Sequence, residues 1–299
     1  MHVDEVGSDA RLVRSLLAEQ FPQWAHLSID SFSSAGTDNA LYRLGDDKVV
    51  RLPRIHTAAG QIAKEHEWLP RLAPFLTLPV PAPLAMGAPG EGYPWHWSVY
   101  EWLDGEPATI ERIANPRQAA RELALFIAAL RSIDATGGPS PGAHNSFRGT
   151  PLAMRDSATR ATISRLSGTV DVAAATAAWD EALQASAWNG IPVWIHGDMQ
   201  SGNLLAQDGR LSAVIDFGCL GVGDPACDLM VAWNLFSADA RDVFRVELEA
   251  DNATWARGRG WALSVGLIAL PYYLTTNPAL ARISRFAIEQ VLAAHAQDG

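Results

Sequence analysis

The segment of residues 193–218 constrains the fold of this chain more than any other stretch. Two apolar runs in it flank Asp208-Gly209. Both residues of that pair tolerate positive φ, so the pair favours the tight turns that join antiparallel strands. The segment therefore predicts a β-hairpin, and a hairpin fixes which of its side chains share a face.

Two carboxylates and one amide should meet around this hairpin. With the turn centred on the Asp-Gly pair, Asn203 falls opposite Val214, and Asp216 lies diagonally across from Asn203 on the same face. Asp198 precedes Asn203 in the loop that leads into the hairpin. Oxygen ligands of this kind suit magnesium, whose coordination phosphate oxygens and water can complete. A carboxylate that the metal leaves free can orient an attacking hydroxyl and accept its proton, as phosphoryl transfer requires.

Two motifs in this segment resemble those of kinases. His196-Gly197-Asp198 followed by Asn203 keeps the spacing H-x-D-x-x-x-x-N, and Asp216-Phe217-Gly218 matches the D-F-G element. The glycine after the histidine, with Gly202-Asn203-Leu204 downstream, is similar to the aminoglycoside phosphotransferase family. The resemblance is sharp from Ile195 to Leu229, and in its layout it covers nearly the whole chain. It implies that Asp198 is the catalytic base and that Asn203 and Asp216 are magnesium ligands.

The order of predicted elements suits such a fold. Hydrophobic periodicity and turn signals predict strands at 40–44, 48–52 and 95–102 and helices at 10–21, 58–72 and 117–133. Helices dominate beyond the turn cluster at 104–107. We therefore expect an α+β class with a bilobal protein-kinase-like fold, in which a small β-rich N-terminal lobe precedes a larger α-helical C-terminal lobe. The resemblance implies that residues 1–103 bind the nucleotide and that residues 104–299 carry catalysis and substrate binding.

The resemblance also implies a phosphate-binding cation on the strand at 48–52 and a carboxylate partner on the next helix. Arg51 occupies the position of the family's lysine, and this is not a conservative exchange because arginine is bulkier and binds phosphate bidentately. Lys48 is the alternative, although its place at the strand start is typical of a solvated turn charge. Glu65, four residues before the apolar Leu69, is the expected partner, and Glu67 is the alternative.

Two further stretches are candidates for nucleotide binding. Ser34, Gly36 and Thr37 lie in a loop of small residues whose N–H groups can cover phosphates, although an ordinary turn explains the pattern as well. Glu101 and Trp102 lie where a kinase hinge would offer backbone groups to adenine. Any such contact is mostly through the main chain, so the two side chains indicate little.

The chain after the D-F-G element bears on the acceptor. Asp228 stands at a helix start, where it can cap exposed N–H groups, and Asp224 is a candidate for contact with a cationic substrate. In the resembled fold the C-terminal helices would line the acceptor cleft with Trp255, Trp261, Tyr272 and Tyr273, but burial in the core explains most such aromatics. No long activation segment and no A-P-E element follow, which argues against a peptide acceptor.

Composition excludes several partners and compartments. The formal charge of −10 argues against nucleic acid, which needs a basic surface, and it is compatible either with a cationic ligand or with ordinary solubility. Cys219 and Cys227 show no metal-ligand spacing, and so few cysteines indicate a reducing cytoplasm. Residues 1–9 lack the apolar run of a signal peptide, and the apolar stretch at 261–274 is too short to span a membrane.

These features together imply a transferase that moves the γ-phosphoryl group of ATP or GTP, with Mg²⁺, to a hydroxyl of a small molecule. An aminoglycoside-type antibiotic is the first expectation, because the family and the negative charge agree. Another antibiotic or a metabolite alcohol is the alternative acceptor. A non-catalytic nucleotide-binding module, favoured only by Arg51 in place of lysine, is the alternative function. We expect no membrane partner, and either a monomer or a homodimer.

Overall fold

The computed structural model describes residues 5–32, 36 and 38–298. By its packing the chain divides into two compact units. The first, called the sheet unit, comprises the chain up to Pro74, Pro79–Asp104 and Val214–Gly218. The second, called the helical unit, comprises Phe75–Leu78, Gly105–Ala213 and the chain from Cys219 onward. The assignment of nucleotide binding to residues 1–103 and of catalysis to residues 104–299 stays a prediction.

The sheet unit is built on an antiparallel sheet with the strand order β1-β2-β3-β5-β4. Its strands are β1 (Ile29–Phe32), β2 (Asn39–Leu44), β3 (Lys48–Pro53), β4 (Pro83–Gly87) and β5 (Trp97–Glu101). Its helices are α1 (Ala10–Gln20) and α2 (His56–Leu72). Asp9 caps α1, because its carboxylate accepts the N–H of Leu12 at 2.8 Å.

Alternate residues of β2 point to one face of this sheet, and that face is buried. In β2, Ala40, Tyr42 and Leu44 are buried while the residues between them are partly exposed. They share a core with Val50 and Leu52 of β3. The alternation in β2 favours the register in which it pairs with β3, where Tyr42 lies opposite Val50.

The helix α2 carries a charged residue inside its apolar stripe. The buried stripe follows helical spacing and consists of Ala58, Ile62, Glu65, Leu69 and Leu72. The helix packs on β3, β4 and β5. A buried carboxylate needs a partner, and Glu65 meets one on β3.

The helical unit contains α3 (Pro116–Ser132), α4 (Asp156–Arg165), α5 (Val172–Gln184), α6 (Val231–Asn234), α7 (Ala238–Glu247), α8 (Asn252–Tyr273) and α9 (Pro278–Asp298). Its strands are β6 (Glu106–Pro107), β7 (Val193–Ile195), β8 (Leu204–Gln207), β9 (Arg210–Val214) and β10 (Gly221–Gly223), and the last residue of β9 belongs to the sheet unit. One small sheet has the order β6-β8-β9, and β7 pairs with β10. Because α8 packs against α4, α5 and α9, it is buried on most sides.

The predicted hairpin is confirmed, but its flanking residues differ from expectation. Asp208 and Gly209 join β8 to β9 with φ angles of 51° and 79°, as a type I′ turn requires. Asn203 lies outside the ladder because it ends the 3₁₀ turn Ser201–Asn203. Asp216 likewise lies beyond the end of β9, and the predicted alignment of Asn203 with Val214 stays a prediction.

The long predicted elements are present with small shifts at their ends. The helix expected at 58–72 begins at His56, and that expected at 117–133 is α3. The short strands β1, β4, β7 and β10 are not foreseen by the pattern. Within residues 5–32, 36 and 38–298, no helix has both the length and the apolarity that a bilayer span requires.

Candidate active site

In the sheet unit, β3 and α2 bring the predicted cation and its carboxylate together. Arg51 Nη1 lies 2.9 Å from both carboxylate oxygens of Glu65. The hydroxyl of Tyr100, on β5, donates to Glu65 Oε2 at 2.5 Å. Glu65 is only 1% exposed, so this ion pair is shielded from water. The pairing expected from the sequence is present, and its role in holding phosphate stays a prediction.

The two alternative residues make local contacts instead. Lys48 Nζ bonds Asp47 Oδ1 at 2.7 Å, within the turn before β3. The Glu67 side chain is 53% exposed and lies 3.8 Å from Arg71, one helical turn further on. Such surface pairs contribute little to stability. The structure thus favours Arg51 and Glu65 as the site residues.

The other end of the Arg51 guanidinium approaches the D-F-G segment. Arg51 Nη2 lies 3.1 Å from Gln61 Oε1 and 3.6 Å from Asp216 Oδ1. Burial lowers the pKa of Arg51, but the charges of Glu65 and Asp216 outweigh burial and raise the pKa above its ordinary value. Arg51 is therefore a permanent cation beside the predicted metal ligand.

Asp216 adopts a conformation that is uncommon for a residue with a side chain. Its φ is 61°, in the left-handed region, where strained residues at functional sites are often found. The side chain is 45% exposed, and Oδ1 accepts the N–H of Gly218 at 3.4 Å. Lys64 of α2 donates to the Gly218 carbonyl at 2.7 Å, which ties this turn to the helix that carries Glu65.

In the helical unit, β7 leads directly into the loop that carries Asp198. Gly197 has a φ of 83°, and a Cβ there would lie 2.3 Å from the Cys219 carbonyl oxygen, so the turn requires glycine. The Asp228 carboxylate accepts the N–H groups of His196 and Gly197, both at 2.8 Å. Burial raises the pKa of Asp228, while His196 and these hydrogen bonds oppose the increase. The expectation that Asp228 caps a helix is wrong, because its oxygens anchor this loop instead.

Three side chains orient the Asp198 carboxylate. Oδ2 accepts hydrogen bonds from Gln200 Nε2 at 2.8 Å and from Asn203 Nδ2 at 2.9 Å. Oδ1 lies 3.3 Å from Arg148 Nη2. The side chain is still 22% exposed. The carboxylate is thus both held in place and open to an incoming hydroxyl, as a general base must be.

Asn203 and Asp216 each keep an oxygen that could hold a hard cation. Asn203 Nδ2 donates to the Asp198 carbonyl and carboxylate, and no hydrogen bond within the described ranges uses its Oδ1. Magnesium needs few protein ligands when phosphate and water complete its octahedron. Residues 5–32, 36 and 38–298 contain no cluster of three or more acidic, His or Cys side chains suited to a metal. Each of the two side chains by itself therefore suits a magnesium ion that arrives with a nucleotide, and a metal site shared by both stays a prediction.

The other nucleotide candidates are only partly described. Ser34 and Thr37 lie outside the described residues, and Gly36 is exposed. The N–H groups of Glu101 and Trp102 already donate to carbonyl oxygens of neighbouring segments, at 3.0 and 2.8 Å. These two N–H groups are therefore not available to donate hydrogen bonds to adenine. A contact through carbonyl groups there stays a prediction.

Asp224, the candidate for contact with a cationic substrate, is paired with an arginine of the protein. It is 4% exposed, and its Oδ2 accepts Arg257 Nε at 2.9 Å. Its Oδ1 accepts the N–H of Ala226 at 2.9 Å and so caps the 3₁₀ turn Pro225–Met230. Both carboxylate oxygens of Asp224 therefore already accept hydrogen bonds from the protein, as a buried ion pair requires.

Sequence reasoning missed Arg148. It lies between α3 and α4, next to Ser146 and Phe147, whose φ angles are 53° and 56°. No motif marks this loop, and only the fold brings it to Asp198, 50 residues away. A run of strained residues beside the proposed base is a structural signal that the sequence does not carry.

The chain matches a known enzyme family and solved structures. The profile of the phosphotransferase enzyme family, APH, matches residues 31–261. No match was found among curated protein sequences. The structure resembles the GDP and kanamycin complex of APH(2")-IIia, with 17% identity, a TM-score of 0.72 and coverage of 96% of this chain and 99% of that chain.

Two other solved structures have the same fold. The streptomycin-ATP-APH(2")-IIa ternary complex has 18% identity and a TM-score of 0.59, and the match covers 88% of this chain and 91% of that chain. The macrolide 2'-phosphotransferase MphH from Brachybacterium faecium has 24% identity, a TM-score of 0.59 and coverage of 93% and 97%. These matches confirm the predicted α+β, bilobal protein-kinase-like fold. Because the family profile matches most of its length, the chain belongs to the phosphotransferase enzyme family, APH.

Proposed function

We propose that this phosphotransferase moves the γ-phosphoryl group of ATP or GTP to a hydroxyl of a small molecule, with Asp198 as the catalytic base. The main support is the state of that carboxylate. Three side-chain donors orient it, while 22% of the side chain stays exposed. A base that is fixed and reachable can accept the proton of a hydroxyl placed within hydrogen-bond distance.

The proposed step is an in-line displacement. The acceptor oxygen forms a bond to the γ-phosphorus as the bond from that phosphorus to the bridging β-phosphate oxygen breaks. The electron pair of the broken bond leaves with the nucleoside diphosphate, and Asp198 takes the hydroxyl proton. Arg51, held by Glu65, contributes fixed positive charge toward phosphate oxygens, which costs no rearrangement during the reaction.

Magnesium would be held by Asn203 Oδ1 and the Asp216 carboxylate, and when bound it neutralises phosphate charge. The loop of Ser34, Gly36 and Thr37 would cover phosphates with its N–H groups. Glu101 and Trp102 would contact adenine through main-chain carbonyls. The solved structures that resemble this chain include complexes with GDP and ATP, which supports nucleotide use here.

The names of the similar structures suggest acceptor classes. They include complexes with kanamycin, streptomycin and gentamicin and a macrolide 2'-phosphotransferase. We therefore propose an antibiotic hydroxyl as acceptor, with metabolite alcohols as the alternative. A non-catalytic nucleotide-binding module remains the second candidate function, because Arg51 replaces the expected lysine.

A reducing compartment such as the cytoplasm would suit this enzyme. Neither Cys219 nor Cys227 forms a disulfide in the part of the chain that the structure describes, as such a compartment favours. The proposal includes either a monomer or a homodimer.

The test is a comparison of Asp198→Asn with the wild type. Nucleoside diphosphate release would be measured with ATP and GTP against a panel of antibiotics and alcohols, and nucleotide affinity by titration. We expect Asp198→Asn to lower turnover by about 10²- to 10⁴-fold, the usual contribution of a general base, without weakening nucleotide binding. Asp239→Asn, on the exposed side of α7, is the matched control. Wild-type turnover in Asp198→Asn would refute the assignment, and nucleotide binding without any transfer would favour the non-catalytic module.

A further inference from the structure

Two arginines of the helical unit stack on one buried tryptophan, and one of them also contacts Asp198. The guanidinium carbon of Arg148 lies 5.6 Å from the ring centroid of Trp261, and that of Arg155 lies 4.7 Å from it. Trp261 itself is fully buried. Since Arg148 also lies 3.3 Å from the Asp198 carboxylate, Trp261 connects Arg155 to the surroundings of the proposed base.

These two cations have little negative charge to balance them. In the part of the chain that the structure describes, Asp198 is the one carboxylate paired with Arg148, and it is reached through Nη2 alone. Arg148 Nε and Nη1 are buried and make no hydrogen bond to a described residue. Arg155 Nε donates to the neutral hydroxyl of Ser264 at 2.8 Å. Buried charges are normally paired, so a net positive charge here is unusual.

The two guanidinium groups also repel each other. Burial, followed by the charge of Arg148, lowers the pKa of Arg155 to about 9. Arg155 is still protonated at neutral pH, so both cations persist in the folded protein. The unused Arg148 donors are buried, so this residue acts on an acceptor through its charge, and guanidinium charge is well suited to attract carboxylates and phosphates.

We infer that the acceptor carries a negatively charged group, a carboxylate or a phosphate ester, close to the hydroxyl that receives the phosphoryl group. This rests on the proposed function, because it takes Asp198 as the base that meets the hydroxyl. A hydroxyl within hydrogen-bond distance of Asp198 puts its neighbouring groups within reach of Arg148. Of the acceptor classes proposed above, this favours an anionic metabolite alcohol over a polycationic aminoglycoside, which would meet a like charge there.

The charge of the whole chain does not contradict this. The formal charge of −10 suggested a cationic acceptor. However, the carboxylate proposed to face such an acceptor, Asp224, is paired with Arg257. The positive charge at Asp198 is local, and local charge decides which groups bind within a few ångströms.

A pair of variants on α4 isolates the effect. Arg155→Gln removes one of the two cations without touching the Asp198 carboxylate. Arg160→Gln is the matched control, because Arg160 lies on the same helix, is 43% exposed and pairs with Asp156 and Asp180 on the surface. Both variants lose one positive charge, so any difference between them reports position rather than net charge.

The first measurement is the affinity for inorganic phosphate at constant ionic strength, with a saturating non-hydrolysable ATP analogue and magnesium present. Wild type and Arg160→Gln should bind phosphate equally. Arg155→Gln should bind it about tenfold more weakly, the effect expected from losing one charge-assisted hydrogen bond. If the analogue abolishes phosphate binding, the anion site belongs to the nucleotide and the inference fails. It fails equally if Arg155→Gln matches the wild type.

The second measurement compares glucuronate, glucose and glucosamine, which share a ring but are anionic, neutral and cationic. We expect kcat/KM to fall in that order. In Arg155→Gln the ratio of kcat/KM for glucuronate to that for glucosamine should be about tenfold smaller than in the wild type. Faster transfer to glucosamine or kanamycin than to glucuronate overturns the inference but leaves the proposed transferase intact. If no sugar is phosphorylated, the phosphate titration decides the inference by itself. If Asp198→Asn keeps wild-type turnover, the proposed function fails, but the result of the phosphate titration is unaffected. The two failures can therefore be told apart.

Discussion

Glu65 shows how one buried charge couples the stability of the sheet unit to its site. The residue lies within the apolar stripe of α2 and is bonded to both Arg51 and Tyr100. Glu65→Gln would leave the buried guanidinium without its main counter-charge. We expect it to lower the free energy of unfolding by about 3 kcal/mol, measured by urea denaturation. Glu67→Gln, on the same helix and 53% exposed, should change it by less than about 0.5 kcal/mol. Equal losses in the two variants would contradict the burial argument.

Single residues also mark how far the sequence leads at this site. Asp198, Asn203 and Asp216 stand out because their spacing is local to one segment. Arg148 and Gln61 do not, because each meets its partner only after distant elements have packed. Asp224 and Asp228 show a related limit. Both are acidic residues of one short stretch, but Asp224 pairs with Arg257 whereas Asp228 anchors the loop before Asp198. Only tertiary packing separates these roles.

At the scale of elements, the turn between β8 and β9 sets the positions of the segments on either side of it. Gly209 has a φ of 79°, and a Cβ there would lie 2.8 Å from the Ala114 Cβ. Gly137 has nearly the same φ, 78°, but nothing within 4 Å of its added Cβ. Gly137→Ala should therefore cost only the left-handed backbone strain, about 1 kcal/mol. Gly209→Ala should cost about 2 kcal/mol or more, because it adds a steric clash.

Urea denaturation of the two alanine variants would measure this difference. Gly60→Ala is a useful reference, since Gly60 lies within α2 with open space around it and a helix favours alanine. The free energy of unfolding of Gly60→Ala should exceed that of the wild type by a few tenths of a kcal/mol to about 1 kcal/mol. Equal losses in the variants at Gly209 and Gly137 would show that contact with Ala114 is unimportant for the turn.

The elements found from the sequence are those whose signal is local. Helices α2 and α3 carry a full apolar period, and the hairpin has its turn dipeptide. The strands β1, β4, β7 and β10 have three to five residues each. A run this short cannot display a reliable period, and pairing with a neighbour decides its conformation. The 3₁₀ turn at Ser201–Asn203 is likewise set by hydrogen bonds to Asp198 rather than by propensity.

For the whole molecule, net charge proved a poor guide to the site. A charge of −10 spread over the surface favours solubility. It does not describe the surroundings of Asp198, where Arg148 lies 3.3 Å from the carboxylate and shares the Trp261 ring with Arg155. The overall balance could suggest a cationic acceptor only as long as the positions of individual charges were unknown.

Nucleotide binding should stabilise the folded molecule as a whole. A ligand that binds only the folded state raises the free energy of unfolding by RT ln(1 + [L]/Kd). With magnesium and nucleotide at about one hundred times Kd, we expect the wild type to gain about 2.7 kcal/mol. Asp198→Asn should gain as much, because the base is not needed for binding. Asp216→Asn should gain about half as much if losing the carboxylate weakens binding tenfold.

The same titration without magnesium distinguishes the metal from the other contacts of Asp216. That carboxylate also lies 3.6 Å from Arg51, so its loss changes the charge beside the proposed phosphate site as well. If Asp216 acts through magnesium, the wild type and Asp216→Asn should bind the metal-free nucleotide with similar affinity, and they should differ once magnesium is added. A difference that persists without magnesium would assign Asp216 to the orientation of Arg51 instead. If nucleotide stabilises the wild type and Asp216→Asn equally, both with and without magnesium, Asp216 has neither role.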